Sequence, residues 1–329
     1  MNLLDIIIPQ YNETEEMVKR CLDSIKIQQG IDLSKVNIYL INDHSENELK
    51  LNFKELYPTL NIIYSRNDKN IGPGLTRQKG FNMGDSRYVT YIDSDDYLND
   101  KFSLYIPISC LNETEVDFVS TSFIYELKDK NGEIHKSIKK PNQGTAFLHG
   151  KIFRRDFLND NGIAFTALLR DYEDSYFLSL CNLTGKSQGI DYATYVYTLN
   201  EDGITKKKYK HNYYVETIKD YFNCPLYVMQ YLRLTNNKSM PYYFINSAFT
   251  LFIMLNSNMF NYDDIKELKN EYLNKLDKFI NDNIKLFELV SLNEIEYMFN
   301  NAYNYYLNTQ HEFNSSLKLC DFKTKYLAK

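Results

Sequence analysis

Three short polar clusters, each at the end of an apolar run, hold residue types suited to a nucleotide and a cation. The first is PQYN, Pro9 to Asn12, where proline is expected to stop a strand and the Tyr11 ring offers a flat face on which a base could stack. The second is NDHS, Asn42 to Ser45, whose Asp43 could accept a hydrogen bond from a base N–H or a ribose hydroxyl. The third is DSDD, with carboxylates at Asp93, Asp95 and Asp96. Like charges so close raise one another's pKa unless hydrogen bonds or a cation compensate. Oxygen ligands of this kind suit Mg²⁺ or Mn²⁺, held by one or two carboxylates and the phosphates of a ligand. On these residues alone, a second reading stands: a DxD that merely ends a strand and caps the next helix. The spacing fits neither an EF-hand loop nor an aspartyl phosphatase motif. A further acidic pair, Glu173 and Asp174 in RDYEDSYF, stands at an expected helix start, where ordinary first-turn carboxylates are common.

The elements that must position these groups read as α/β. Leu3 to Pro9 is short and β-branched, and Met17, Val18, Cys21, Leu22 and Ile25 follow at helical spacing. VNIYLIND (36 to 43), NIIYSR (61 to 66) and RYVTYID (87 to 93) are further strands, with the helix LTRQKGFNMG between the last two. This alternation predicts a largely parallel sheet covered by helices, and in such sheets ligands bind beyond the carboxyl ends of the strands. Residues 116 to 140 read as a hairpin around DKNG, so mixed pairing is expected in the second half. Beyond Lys210 helices dominate: Ile265, Leu268, Tyr272, Leu276 and Phe279 share one face, and Ser291 with Glu294 forms a capping box before another. Two domains are expected, 1–210 and 211–329, the first divided into a nucleotide-sugar half, 1–100, and an acceptor side, 101–210.

Composition narrows the classes. With 329 residues, 43% hydrophobic and 25% charged, the chain should bury a core, and a net charge of −5 argues against nonspecific nucleic-acid binding. Five scattered cysteines without CxxC spacing point to a reducing compartment. The N-terminus reads as a core strand, not a signal peptide. The longest apolar stretch, Tyr242 to Leu255, is interrupted by Asn246, Ser247 and Thr250 and falls short of the about 20 residues of a spanning helix, so no transmembrane segment is expected.

The order IIIPQYN, INDHS, NIGPGLTRQKG and YVTYIDSDDYL resembles the nucleotide-sugar-binding half of a family 2 glycosyltransferase with the GT-A fold, closely over residues 3 to 100 and more loosely to about 205. The resemblance implies an α/β, Rossmann-like mixed sheet flanked by helices, and inverting transfer from a UDP-sugar to a free hydroxyl on a glycan, glycopolymer, lipid-linked intermediate or protein. It implies that Pro9, Tyr11, Asn12, Asp43, Asn70, Arg77 and Asp93 contact the nucleotide, with Tyr11 against uracil. Asp95, with Asp93, would hold Mn²⁺ or Mg²⁺, Asp96 would support them, and Asp174 of an ED pair would be the catalytic base beside Glu173. Gln78 and Thr76 depart from the family's commoner asparagine and alanine. His149 and His211 are further candidate metal ligands, and Lys206, in KKKYK, a candidate phosphate contact. Gln230 and Arg233 are similar to a QxxRW motif, but Leu234 replaces its tryptophan, which argues against processive synthesis. The expected setting is cytoplasmic or peripheral at the inner membrane face, with a homo-oligomer left open. The competing readings are a nucleotidyltransferase, disfavoured by the acidic PQYNETEE loop, and a catalytically inactive nucleotide- or carbohydrate-binding scaffold.

Overall fold

Short apolar strands alternating with amphipathic helices build the first of two compact units, Met1–Lys210, in a computed structural model that describes residues 2–128, 133–141, 147–198, 211–257, 266–309 and 317–327. Strand β1 (Leu4–Gln10) is buried at every position, as a central strand covered on both faces must be. It pairs in parallel with β2 (Val36–Asn42) and β4 (Tyr88–Tyr91), and β2 pairs in parallel with β3 (Asn61–Arg66). Helix α1 (Glu15–Lys26) is capped by the Thr14 hydroxyl and packs Val18, Cys21, Leu22 and Ile25 inward. A short helix α2 (Phe53–Leu56) precedes β3. Helix α3 (Pro73–Met83) starts with proline at its first turn after Gly72, whose φ of +86° favours glycine.

The second half of this unit turns the sheet mixed. Its elements are β5 (Tyr97–Leu98), α4 (Tyr105–Glu113), β6 (Phe118–Lys128), β7 (Ile134–Lys139), β8 (Lys151–Arg154), α5 (Arg155–Asp160), α6 (Glu173–Thr184) and β9 (Ser187–Tyr197). The strand order is β3-β2-β1-β4-β8-β6-β9-β5, with β7 paired to β6. Antiparallel β8 lies between β4 and β6, and β9 returns to pair with β5, the strand that directly follows DSDD. The sheet thus curls its second half back onto the carboxyl end of β4.

Pro9 does not stop β1, which continues through Gln10. Pairing with β4 ends at Ile7↔Tyr91, so the nitrogen of Pro9, two residues on, faces beyond that ladder and its missing N–H costs no sheet bond. At the opposite end of the strands, fully buried Asp5 is neutralised by Arg155 at 2.7 Å and accepts further bonds from Asn37 and from the Ser86 amide and hydroxyl. That satisfied pair fastens α5 to the start of β1.

The second unit, His211–Lys329, is helical in its described residues. It comprises α7 (His211–Leu234), α8 (Met240–Asn256), α9 (Lys266–Asn283), a 3₁₀ segment (Ile284–Leu289), α10 (Leu292–Thr309) and α11 (Leu319–Phe322). Helix α8 carries the long apolar stretch and is apolar on nearly all sides because α7, α9 and α10 surround it. Phe249 makes edge contacts with Phe299 and Phe322, and Phe244 with Phe279. The Ser291–Glu294 capping box forms at the start of α10. Among the described residues, no helix is long and apolar enough to cross a membrane.

Candidate active site

The DSDD segment leaves β4 in a tight turn closed by the Asp96 amide donating to the Asp93 carbonyl at 3.0 Å. The turn brings the carboxylates of Asp93 and Asp96 together with His149, their ligand atoms all within 4.8 Å of one another. His149 Nε2 lies 3.8 Å from Asp93 Oδ2 and 3.9 Å from Asp96 Oδ2. Its ring is held between Phe147 (centroids 5.5 Å, 5° apart in plane) and Tyr195 (4.8 Å, 13°). Asp96 is buried and accepts from the Tyr195 hydroxyl at 2.7 Å and the Thr198 amide at 2.8 Å. Burial, then the charges of Asp95 and Asp93, push its carboxyl well up. For Asp93 burial acts the same way but is outweighed by Arg77 and His149, which hold its carboxyl below the ordinary range.

Two carboxylates and an imidazole, one of them a buried acid that is costly to ionise alone, fit a divalent cation. Nδ1 of His149 is buried with no hydrogen-bond partner, leaving the ring's orientation to the stacked aromatics. The half-buried Asp95 is not part of this cluster. Its carbonyl accepts from Arg20 and Thr198, and its charge, after burial, helps push Glu13 up to about 7.

The other strand ends close one rim. Tyr11 is 47% exposed, with its amide bonded to Glu13. Asn12, at φ +68°, ties its loop to the next one: its side chain accepts from the Glu46 amide at 2.8 Å and its amide donates to Ser45 Oγ at 2.9 Å. Asp43 is buried and accepts from Asn67 Nδ2 and from the amides of Ile71 and Gly72, at 2.8 to 2.9 Å. It therefore shapes the loop before α3, in which Asn70 is half-buried. Arg77 is buried and donates to Asp93 Oδ1 at 2.7 Å and to Glu173 Oε1 at 2.9 Å, with both terminal nitrogens engaged inside the protein.

Helix α6 opens with Glu173 directly after Tyr172, which has φ +62°. Glu173 is buried and pushed up to about 7 by burial and by neighbouring Asp174, against the pull of Arg77. Asp174 is half-buried, its Oδ1 accepting from the Ser175 amide at 2.6 Å. Lys151, buried on β8, donates to the Phe147 carbonyl at 2.5 Å. Burial pushes it down to about 8, against the pull of the Asp174 carboxylate. Lys151 belongs to no sequence motif named above, and its place at the head of the short run KIFR, directly before core residues Ile152 and Phe153, is the signal of its burial. Lys206 and its basic neighbours lie outside the described residues, and His211 begins α7 with its side chain outside the description.

Comparison with known proteins follows the same outline. Residues 5–175 match the family model described as Glycosyl transferase family 2. The chain is 26% identical over 217 residues to the poly(ribitol-phosphate) beta-glucosyltransferase of Bacillus spizizenii, covering 61% of this chain and 33% of that protein. It is 24% identical over 306 residues to the poly(ribitol-phosphate) beta-N-acetylglucosaminyltransferase TarP of Staphylococcus aureus, covering 85% of this chain and 89% of that one. Besides the 33% of the Bacillus spizizenii protein, the chain spans 46% and 32% of the length of two further curated relatives, well under two thirds of each. The crystal structure of S. aureus TarS 1-349 superposes with a TM-score of 0.66 at 19% identity, over 95% of this chain and 94% of that one. Its complex with UDP-GlcNAc gives 0.66 at 18% identity, over 92% and 89%. At such identity these likenesses show the fold, a GT-A mixed sheet with flanking helices and a helical C-terminal region.

Proposed function

The chain belongs to glycosyl transferase family 2, and from that premise we propose that it transfers a sugar, with inversion, from a UDP-sugar to a hydroxyl of a polyol-phosphate glycopolymer. The observation that carries this reading is the Asp93–Asp96–His149 cluster, which lies at the carboxyl end of β4 and is linked through Arg77 to the first turn of α6. The relatives' names, which specify poly(ribitol-phosphate) as acceptor, supply the polymer class. In this reading Tyr11 stacks on the uracil, Asn12 and Asp43 shape the loops around it, and residues 1–100 form the donor half.

Asp93, Asp96 and His149 would hold Mn²⁺ or Mg²⁺, in place of the Asp95 expected from the DxD spacing. The cation would neutralise charge developing on the β-phosphate as UDP departs. Asp174 accepts the proton of the acceptor hydroxyl while that oxygen bonds to the anomeric carbon and the bond from that carbon to the diphosphate breaks. Attack opposite the leaving group converts an α-linked donor into a β-linked product. Action at the cytoplasmic side of the membrane, where a growing polymer is accessible, is part of the same proposal.

The test is calorimetric binding of UDP-GlcNAc and UDP-glucose with and without Mn²⁺, paired with UDP release on poly(ribitol-phosphate). Asp174→Asn is expected to keep donor binding and lose transfer by about 10³-fold, within the usual range for a general base. A chain that binds no nucleotide under either metal condition would instead support a non-catalytic scaffold.

A further inference from the structure

We propose that Arg77 is a positioning residue that sets the spacing between Asp93 and the helix bearing Asp174, and is not a contact to the nucleotide. The inference rests on the reading of Asp174 as the base. One guanidinium serves two carboxylates, the half-buried Asp93 and the buried Glu173: Nη2 holds Asp93 Oδ1 at 2.7 Å and Nη1 holds Glu173 Oε1 at 2.9 Å. These two nitrogens sit at a fixed separation in a planar group, so the distance between the two carboxylates is fixed as well. Holding Oδ1 also leaves Asp93 Oδ2 turned towards His149, 3.8 Å away.

Other α3 side chains tie down the same region. Gly74 lies against Glu173, where a Cβ would stand 2.6 Å from Glu173 Cγ. Gln78 accepts from the Phe165 amide at 2.9 Å, and the Phe165 ring stacks on Phe177 of α6 with centroids 4.4 Å apart. Arg77 itself lies over the Phe165 ring, 5.9 Å from its centroid. Helix α3 thus grips the acceptor-side segment at Phe165 and at Glu173, while the same Arg77 grips the donor-side turn. Each terminal nitrogen is thus bonded to a carboxylate of the protein, which spends two of the five guanidinium N–H donors and balances the charge internally, while Nε lies buried without a hydrogen-bond partner among the described residues.

The experiment uses the full chain with Arg77→Lys, Glu173→Ala and Glu173→Gln. The readouts are UDP affinity in Mn²⁺ by calorimetry, kcat and donor KM for transfer to poly(ribitol-phosphate), and hydrogen exchange of residues 173–177. Glu173→Ala, which leaves Arg77 on Asp93, is expected to keep UDP affinity within about threefold and to lower kcat about 100-fold, the scale set by a misplacement near 1 Å. Arg77→Lys, which keeps a cation beside Asp93 but cannot reach both carboxylates, is expected to lower kcat by the same factor. Glu173→Gln, which retains an acceptor for Nη1, should recover at least part of that loss, and exchange at 173–177 should quicken in the two disrupting variants. UDP affinity reduced tenfold or more with kcat kept in Arg77→Lys would overturn the proposal and make Arg77 a nucleotide contact. If the unsubstituted chain binds no UDP, the donor reading fails separately. Exchange at 173–177 still decides the clamp in that case, unchanged protection in Arg77→Lys overturning it.

Discussion

Replacing Gly74 by alanine isolates the contact between α3 and α6. The added Cβ would lie 2.6 Å from Glu173 Cγ and 3.0 Å from its Cβ, where ordinary contact begins at 3.4 Å. The carboxylate end of Glu173 is held by Arg77 and its Cβ by the α6 backbone, so a rotamer change cannot absorb the overlap. The first turn of α6 must retreat by roughly 0.8 Å, the shortfall from ordinary contact. Two effects on stability oppose each other: alanine favours a helix over glycine by about 1 kcal/mol, and overpacking costs about 1–3 kcal/mol. The net change in folding free energy is therefore small, about 0–2 kcal/mol of destabilisation. Activity is not buffered in this way, since Asp174 travels with Glu173. Urea unfolding should show a modest shift, and initial rates of UDP release should fall about 100-fold. A Gly74→Ala enzyme with undiminished kcat would refute the argument that the separation of α3 and α6 places the base.

Two further predictions concern the cation cluster and the buried lysine. Asp96→Asn and His149→Ala should each weaken Mn²⁺-dependent UDP binding by about 10–100-fold, and Asp95→Asn by less, because Asp95 stands outside the cluster; calorimetry giving the reverse order would put Asp95 in the metal site. Lys151 has a folded pKa of about 8 against 10.5 for the ordinary group. Below pH 8 it is charged in both folded and unfolded chains, and the cost of burying it is fully present. Between pH 8 and 10.5 the unfolded chain holds a proton that the folded one has released, so stability rises with pH, by about 3 kcal/mol over a gap of about 2.5 units. Lys151→Met should abolish that rise, and denaturation curves of the two proteins that stay parallel from pH 7.5 to 10 would contradict the burial argument.

Much of the first unit could be read from local pattern, because its parallel strands are short β-branched runs separated by helices of clear period. The mixed second half was visible as a departure from that alternation, and the hairpin expected over residues 116 to 140 forms as the antiparallel pair β6 and β7, though the other pairing partners were not visible. The order β4-β8-β6-β9-β5 is set by contacts between distant segments, and no single window of sequence contains them. Pro9 shows the limit of a local rule: proline ends a strand only where the missing N–H faces a neighbour, and here the β4 ladder has already ended.

The site divides along the same line. Carboxylates at strand ends are evident from spacing, but which of them converge depends on how the chain turns. In DSDD the Asp96 amide folds back to the Asp93 carbonyl, so positions three apart meet, and the residue between them that the DxD pattern favours is left outside. His149 joins that cluster from the turn before β8, and Glu173 joins Arg77 from 96 residues away. Polar residue types in the sequence suggested what each group could bind, whereas the structure adds which groups are already bound to one another. Arg77, with its two terminal nitrogens committed, and Asp43, with three internal donors, are better understood as holding the site in shape than as waiting for a ligand. Loss of such residues should then appear first in turnover and only afterwards in nucleotide affinity, which is the pattern that separates preorganisation from direct recognition.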